Sequence, residues 1–104
     1  MLTDKEILAQ IKTAVLEIIP DAKVFLFGSR ARGDWHDESD WDILILTERK
    51  YPKATKWKIH DKLFPLSVSA GTVFQFIMAT HEEWEHHPGY YALQLGIKDE
   101  LVAL

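Results

Sequence analysis

The chain has 104 residues, 47% hydrophobic and 12% aromatic, which suits a single domain over residues 1–104 and excludes disordered, collagen-like and low-complexity classes. It contains no Cys, so disulfides, thiolate metal sites and Cys nucleophiles are excluded together. With 12 Lys+Arg against 16 Asp+Glu the net charge is -4, so long nucleic acid is not an expected partner and any phosphate must be met locally.

In chain order, Ile7, Leu8, Ile11, Val15, Ile18 and Ile19 recur at spacings of three and four, the stripe of an amphipathic helix. Thr3 with Glu6 reads as a capping box at its start, and Pro20 stops it. Residues 24–27 are a short apolar run of strand formers ended by Gly28-Ser29, which predicts a buried strand entering a tight turn. Residues 30–39 are polar, and residues 41–46 resume an apolar strand with Asp42 embedded in it.

Arg49, Lys50, Lys53, Lys56, Lys58 and Lys62, with Ala54, Trp57 and Phe64 at roughly helical spacing, predict a basic amphipathic helix. Its charge is opposite to that of the acidic loop, so it is a candidate to steer a nucleotide or meet an acidic partner. Residues 66–69 and 73–80 read as two strands joined in a hairpin around Ala70-Gly71. Residues 82–87 read as a helical turn, and the tail from Tyr90 onward is apolar enough to dock on the body. The sum is an α+β domain: a small mixed sheet of about four strands with helices packed on one face. The site is expected at the end of the first two strands.

No apolar run approaches the roughly 20 residues of a membrane helix. The opening Met1-Leu2-Thr3-Asp4-Lys5-Glu6 lacks the basic and apolar regions of a signal peptide, so a cytoplasmic protein without membrane contact is expected.

The chemistry is concentrated in Gly28-Ser29-Arg30-Ala31-Arg32-Gly33 and Ser39-Asp40-Trp41-Asp42. Side chains on a strand alternate, so Asp40 and Asp42 project from one face, roughly 6 to 7 Å apart at the backbone. Two carboxylates within about 5 Å repel by around 3 kcal/mol at an effective dielectric near 20, a cost that a shared divalent cation reverses. Oxygen-only ligands favour magnesium or manganese, which commonly bridge carboxylates to nucleotide phosphates. Gly28 lets the chain turn with positive φ and lets a phosphate approach, Ser29 offers a hydroxyl and opens a helical turn, and Arg30 and Arg32 add positive charge.

This stretch resembles the minimal nucleotidyltransferases of the DNA polymerase β superfamily. Their signature of Gly-Ser, then Ala-Arg-Gly, a short polar loop and Ser-Asp-x-Asp before an apolar strand stands here as Gly28-Ser29, Ala31-Arg32-Gly33 and Ser39-Asp40-Trp41-Asp42-Ile43-Leu44-Ile45. The resemblance implies that Gly28 and Ser29 hold a triphosphate and that Asp40 and Asp42 bind the catalytic metals. It implies transfer of a nucleoside monophosphate, from ATP as the expected donor, to a hydroxyl of a protein or small molecule. It also implies a separate helical partner protein, since minimal members often serve as the antitoxin that adenylylates a toxin.

Active members carry a third carboxylate on a later strand, whereas no Asp or Glu occurs between Asp61 and Glu82, where Ser67, Ser69 and Gln75 stand instead. Three readings remain open. Asp61 or Glu82 reaches the site, a partner donates an acid, or the domain is a catalytically impaired binding module that masks a partner.

Weaker signals have plain readings. In His81-Glu82-Glu83-Trp84-Glu85-His86 the His pair is five apart, which does not place two imidazoles on one helical face, and His86-His87 before Pro88-Gly89 reads as a solvated turn. Trp35 and Trp41 flank the acidic loop as candidates to stack on a base, while Trp57 and Trp84 read as helix anchors on the core. Ser39 reads as a cap or turn former.

Overall fold

The computed structural model describes residues 2–34 and 39–104. Helix α1 (Asp4–Ile18) starts at the Thr3 capping box, with Glu6 N–H donating to Thr3 Oγ1 at 3.1 Å and Thr3 N–H donating to Glu6 Oε1 at 3.3 Å. Its Ile7, Ile11 and Val15 are buried, and Ile19 caps its end before Pro20. Strand β1 (Lys23–Phe27) follows, then the single turn α2 (Ser29–Arg32) and strand β2 (Trp41–Thr47). Helix α3 (Lys53–Ala70), strand β3 (Phe74–Thr80), helices α4 (His81–His86) and α5 (Pro88–Ile97), and strand β4 (Val102–Ala103) complete the described chain.

The sheet order is β3-β2-β1-β4, with β1 antiparallel to both β2 and β4 and β2 parallel to β3. A parallel pair needs a long crossover, and α3 supplies it. Alternation along the strands divides the sheet into two faces. Val24, Leu26, Trp41, Ile43, Ile45 and Phe74 pack with α1 and α3, each buried Ile or Leu worth roughly 2 kcal/mol as area removed from water. Phe27, Leu44, Leu46 and Ala79 pack with Trp84 and Ile97 of α4 and α5 on the other face.

Helices therefore cover both faces, not one. The expectation of one face missed the apolar stripe of α5, which docks through Leu93 and Ile97 behind β2.

The expected hairpin is also corrected. Residues 66–69 belong to α3, which runs through Pro65 to Ala70 and closes where Gly71 N–H donates to the carbonyls of Ser67 and Val68. The local alternation of Leu66-Ser67-Val68-Ser69 imitates a strand, but Ile59, Leu63 and Leu66 form one stripe on the core, and that tertiary contact decides. The fourth strand is instead β4 at the C-terminus, where Phe25 pairs with Ala103 and Leu26 with Val102.

The stripe also corrects the role of Trp57. It is 65% exposed, on the helix face opposite Ile59, and forms an aromatic ladder with His60 and Phe64 at centroid distances of 5.7 and 6.2 Å. Trp84 does anchor α4 on the core, as its position in the sequence implied. His87 is a cap: its Nδ1 accepts from Gly89 N–H at 2.9 Å at the start of α5.

A pair of acids beside a glycine turn

The antiparallel register of β1 and β2 sets the site. Phe27, the last residue of β1, stands opposite Asp42, so the turn that follows at Gly28 lies directly beside that carboxylate. Gly28 has φ +77 and ψ -160, a conformation open to glycine almost alone. A Cβ built there would overlap Asp42 Oδ2 and stand 3.1 Å from Asp42 Cγ. The missing side chain thus leaves room for the acid as well as for the turn.

From Gly28 the chain enters α2, where the Ala31 and Arg32 N–H groups both donate to Gly28 O at 3.1 Å, and leaves it at Gly33 in the left-handed conformation. Asp42 lies on the sheet face that carries α4 and α5, together with its register partners Phe27 and Gln75. Burial pushes the Asp42 carboxyl above the usual carboxylate range; repulsion from Asp40 adds to this, Arg32 offsets it, and Glu100 adds a little more. The electrostatic influence of Asp40 on Asp42 is what two neighbouring carboxylates produce.

Gln75 stands on β3 where a third acid was sought. It is the β3 partner of Asp42, and its Nε2 donates to Asp40 Oδ2 at 2.7 Å. The amide therefore engages one acid instead of adding another. Asp61 lies on exposed α3 beside His60, and Glu82 lies on α4 beyond the far end of β3, so neither approaches the pair. Among the described residues no group of three or more His, Cys, Asp or Glu is arranged to hold a metal ion.

The two arginines of α2 part company. Arg30 has a side chain only 5% exposed: it donates from Nε to Ser39 O at 3.1 Å, lies 4.0 Å from the Trp41 ring centroid and approaches Asp4 of α1 at 3.9 Å. It ties the start of β2 to α1. Arg32 is 49% exposed, with Nε on Asp34 Oδ2 at 3.2 Å and Nη1 on Glu100 Oε2 at 2.9 Å.

Trp41 is fully buried under Arg30, so it does not present a face to a base. Trp35 lies outside the described residues. Lys50, Lys53 and Lys56 line a cavity of about 230 Å³ with Thr47 and Thr80, at the opposite end of β2 from Asp42, so the basic helix does not join the acidic pair.

The sequence reading missed Glu100. Its contact with Arg32 spans 68 residues, and no local spacing signals it. Gln75 was within reach of a register argument, since counting from Asp42 across a parallel pair lands on it.

Comparison with known proteins gives two findings. A model of the nucleotidyltransferase domain matches residues 8–90. A putative protein adenylyltransferase of Methanocaldococcus jannaschii is 43% identical over 56 residues, which are 52% of this chain and 57% of that protein.

Proposed function

This chain belongs to the nucleotidyltransferase domain family, and from that premise we propose that it transfers a nucleoside monophosphate from ATP to a hydroxyl of a protein or small-molecule acceptor. The observation that carries the reading is the Asp40–Asp42 pair beside the Gly28 turn, with Arg32 at its edge. The adenylyltransferase name of the archaeal relative speaks for adenine and for a protein acceptor.

The donor set suits magnesium or manganese: two carboxylates, one of them raised by burial and by its neighbour, gain most from a hard cation that takes its remaining ligands from water and phosphate. Asp40 and Asp42 would hold such a cation, which would supply neutralisation of phosphate charge and activation of the attacking oxygen.

The chain's own residues do the rest. Gly28 and the first amides of α2 receive phosphate oxygens, Ser29 adds a hydroxyl, and Arg32 meets the negative charge that gathers on departing pyrophosphate. Arg30 serves these groups indirectly by fixing Ser39 and the start of β2. In the transfer, the acceptor oxygen bonds to the α-phosphorus as the bond to the bridging oxygen breaks, pyrophosphate leaves, and the hydroxyl proton passes to solvent. Gln75 cannot accept the hydroxyl proton as a carboxylate would, so turnover is expected to be slow.

A second reading is a binding module that keeps the fold and masks a separate helical partner, as an antitoxin does. The face of Trp57, Phe64, Val68 and Val73, all more than half exposed, favours it, since apolar groups gathered on one surface mark contact with another protein. Incubation with α-labelled ATP, magnesium and a cell lysate separates the two. Label moved to an acceptor, and lost in Asp40→Asn/Asp42→Asn, supports transfer. Partner capture that survives the double change, without labelling, supports masking.

A further inference from the structure

Arg32 follows the Gly28 turn that lies against Asp42 and offsets the rise in that carboxyl's pKa, while its guanidinium is held by Asp34 and Glu100. An unheld guanidinium in that place would fork onto the Asp42 carboxylate, because bidentate arginine–carboxylate pairs are among the strongest hydrogen-bonded contacts. That collapse would take up the oxygens a cation needs.

Two contacts hold the guanidinium elsewhere. Two N–H groups of Arg32 are engaged elsewhere, Nε on Asp34 at 3.2 Å and Nη1 on Glu100 at 2.9 Å, which leaves three of its five donors for a phosphate. Glu100 is the anchored partner. Its side chain is 15% exposed, its N–H donates to Ile97 O at 2.9 Å, and Leu101 next to it packs in the core cluster of α4 and α5. The next residues pair with β1 through Leu26–Val102 and Phe25–Ala103, and Leu104 N–H donates to Val24 O at 2.9 Å. Strand β1 ends in the Gly28 turn, so one strand places both the turn and the residue that restrains Arg32.

We infer that Glu100 is a positioning residue: held by the β1–β4 pairing, it keeps the Arg32 guanidinium clear of Asp42 and presents it to the triphosphate. The nucleotide part of this rests on the proposed transfer function; the restraint of Arg32 does not.

The test is a mutant cycle of Glu100→Gln, Arg32→Gln and the double variant, titrated calorimetrically with ATP and magnesium. Glu100→Gln is expected to weaken binding about tenfold, the size of one charge-assisted hydrogen bond. In the Arg32→Gln background the same change is expected to do nothing further. Glu100→Asp, which keeps the charge, is expected to recover part of the loss.

A loss of equal size in both backgrounds, or no loss in either, overturns the inference. Nitrogen-15 spectra of the Arg32 guanidinium read the restraint without nucleotide. Hindered rotation in the parent and free rotation in Glu100→Gln support it, and identical spectra refute it. A parent that binds no ATP defeats the transfer reading alone, and these spectra still decide the role of Glu100.

Discussion

Replacing Gly28 by Ala tests the close approach of turn and acid. At φ +77 and ψ -160 an alanine sits in a region that costs about 1 to 3 kcal/mol. For a domain of this size each kcal/mol moves Tm by about 4 to 8 °C, so a fall of roughly 5 to 20 °C is expected. The new methyl also overlaps Asp42 Oδ2, and relief needs a withdrawal of the carboxylate by about an ångström. Gly33→Ala is the control. Its φ of +84 carries a similar backbone penalty, yet among the described residues nothing lies within 4 Å of the added carbon. Thermal unfolding and calorimetric titration with ATP and magnesium should show both variants destabilised, but only Gly28→Ala losing nucleotide affinity, by about tenfold for one weakened charge-assisted contact. Unchanged affinity in Gly28→Ala, or an equal loss in Gly33→Ala, would refute the argument that the glycine makes room for Asp42.

The raised pKa of Asp42 has a stability consequence. Its folded-state pKa lies above the unfolded one, so the folded protein favours the proton, and stability falls as pH rises from the unfolded value through the folded value. Asp42→Asn should therefore raise Tm at pH 7, with the gain vanishing below about pH 4; a lower Tm at pH 7 would contradict the assigned cause. Gln75→Glu removes the donor to Asp40 and brings a third carboxylate to the pair. Without metal its Tm should fall through like-charge repulsion, and its affinity for manganese should rise about tenfold; a variant that binds manganese no better than the parent would show that β3 does not face the cation site.

What could be read from the sequence is what local patterns encode. Thr3 and Glu6, the stripe of α1 and the stop at Pro20 are spacing signals within a few residues, and the structure keeps all of them. The apolar runs on either side of Gly28-Ser29 and Asp40–Asp42 fixed β1 and β2, and with them the end of the sheet where the acids stand. The misread parts depend on distant partners. Residues 66–69 are strand-like by alternation and become helical because Leu66 completes a stripe with Ile59 and Leu63. Trp57 reads from the sequence as a helix anchor, although its phase on α3 is opposite to that stripe. Arg30 and Arg32, two apart in one turn, look equivalent until Trp41 and Ser39 enclose the first and Glu100 restrains the second.

The central claim is that Asp40 and Asp42 form a cation-dependent nucleotide site. Calorimetric titration of ATP into the parent and into Asp40→Asn/Asp42→Asn, each with and without magnesium, tests it most directly. The account predicts binding by the parent that requires magnesium and is lost in the double variant. Equal affinity of the two proteins, or binding by the parent that is indifferent to magnesium, would contradict it.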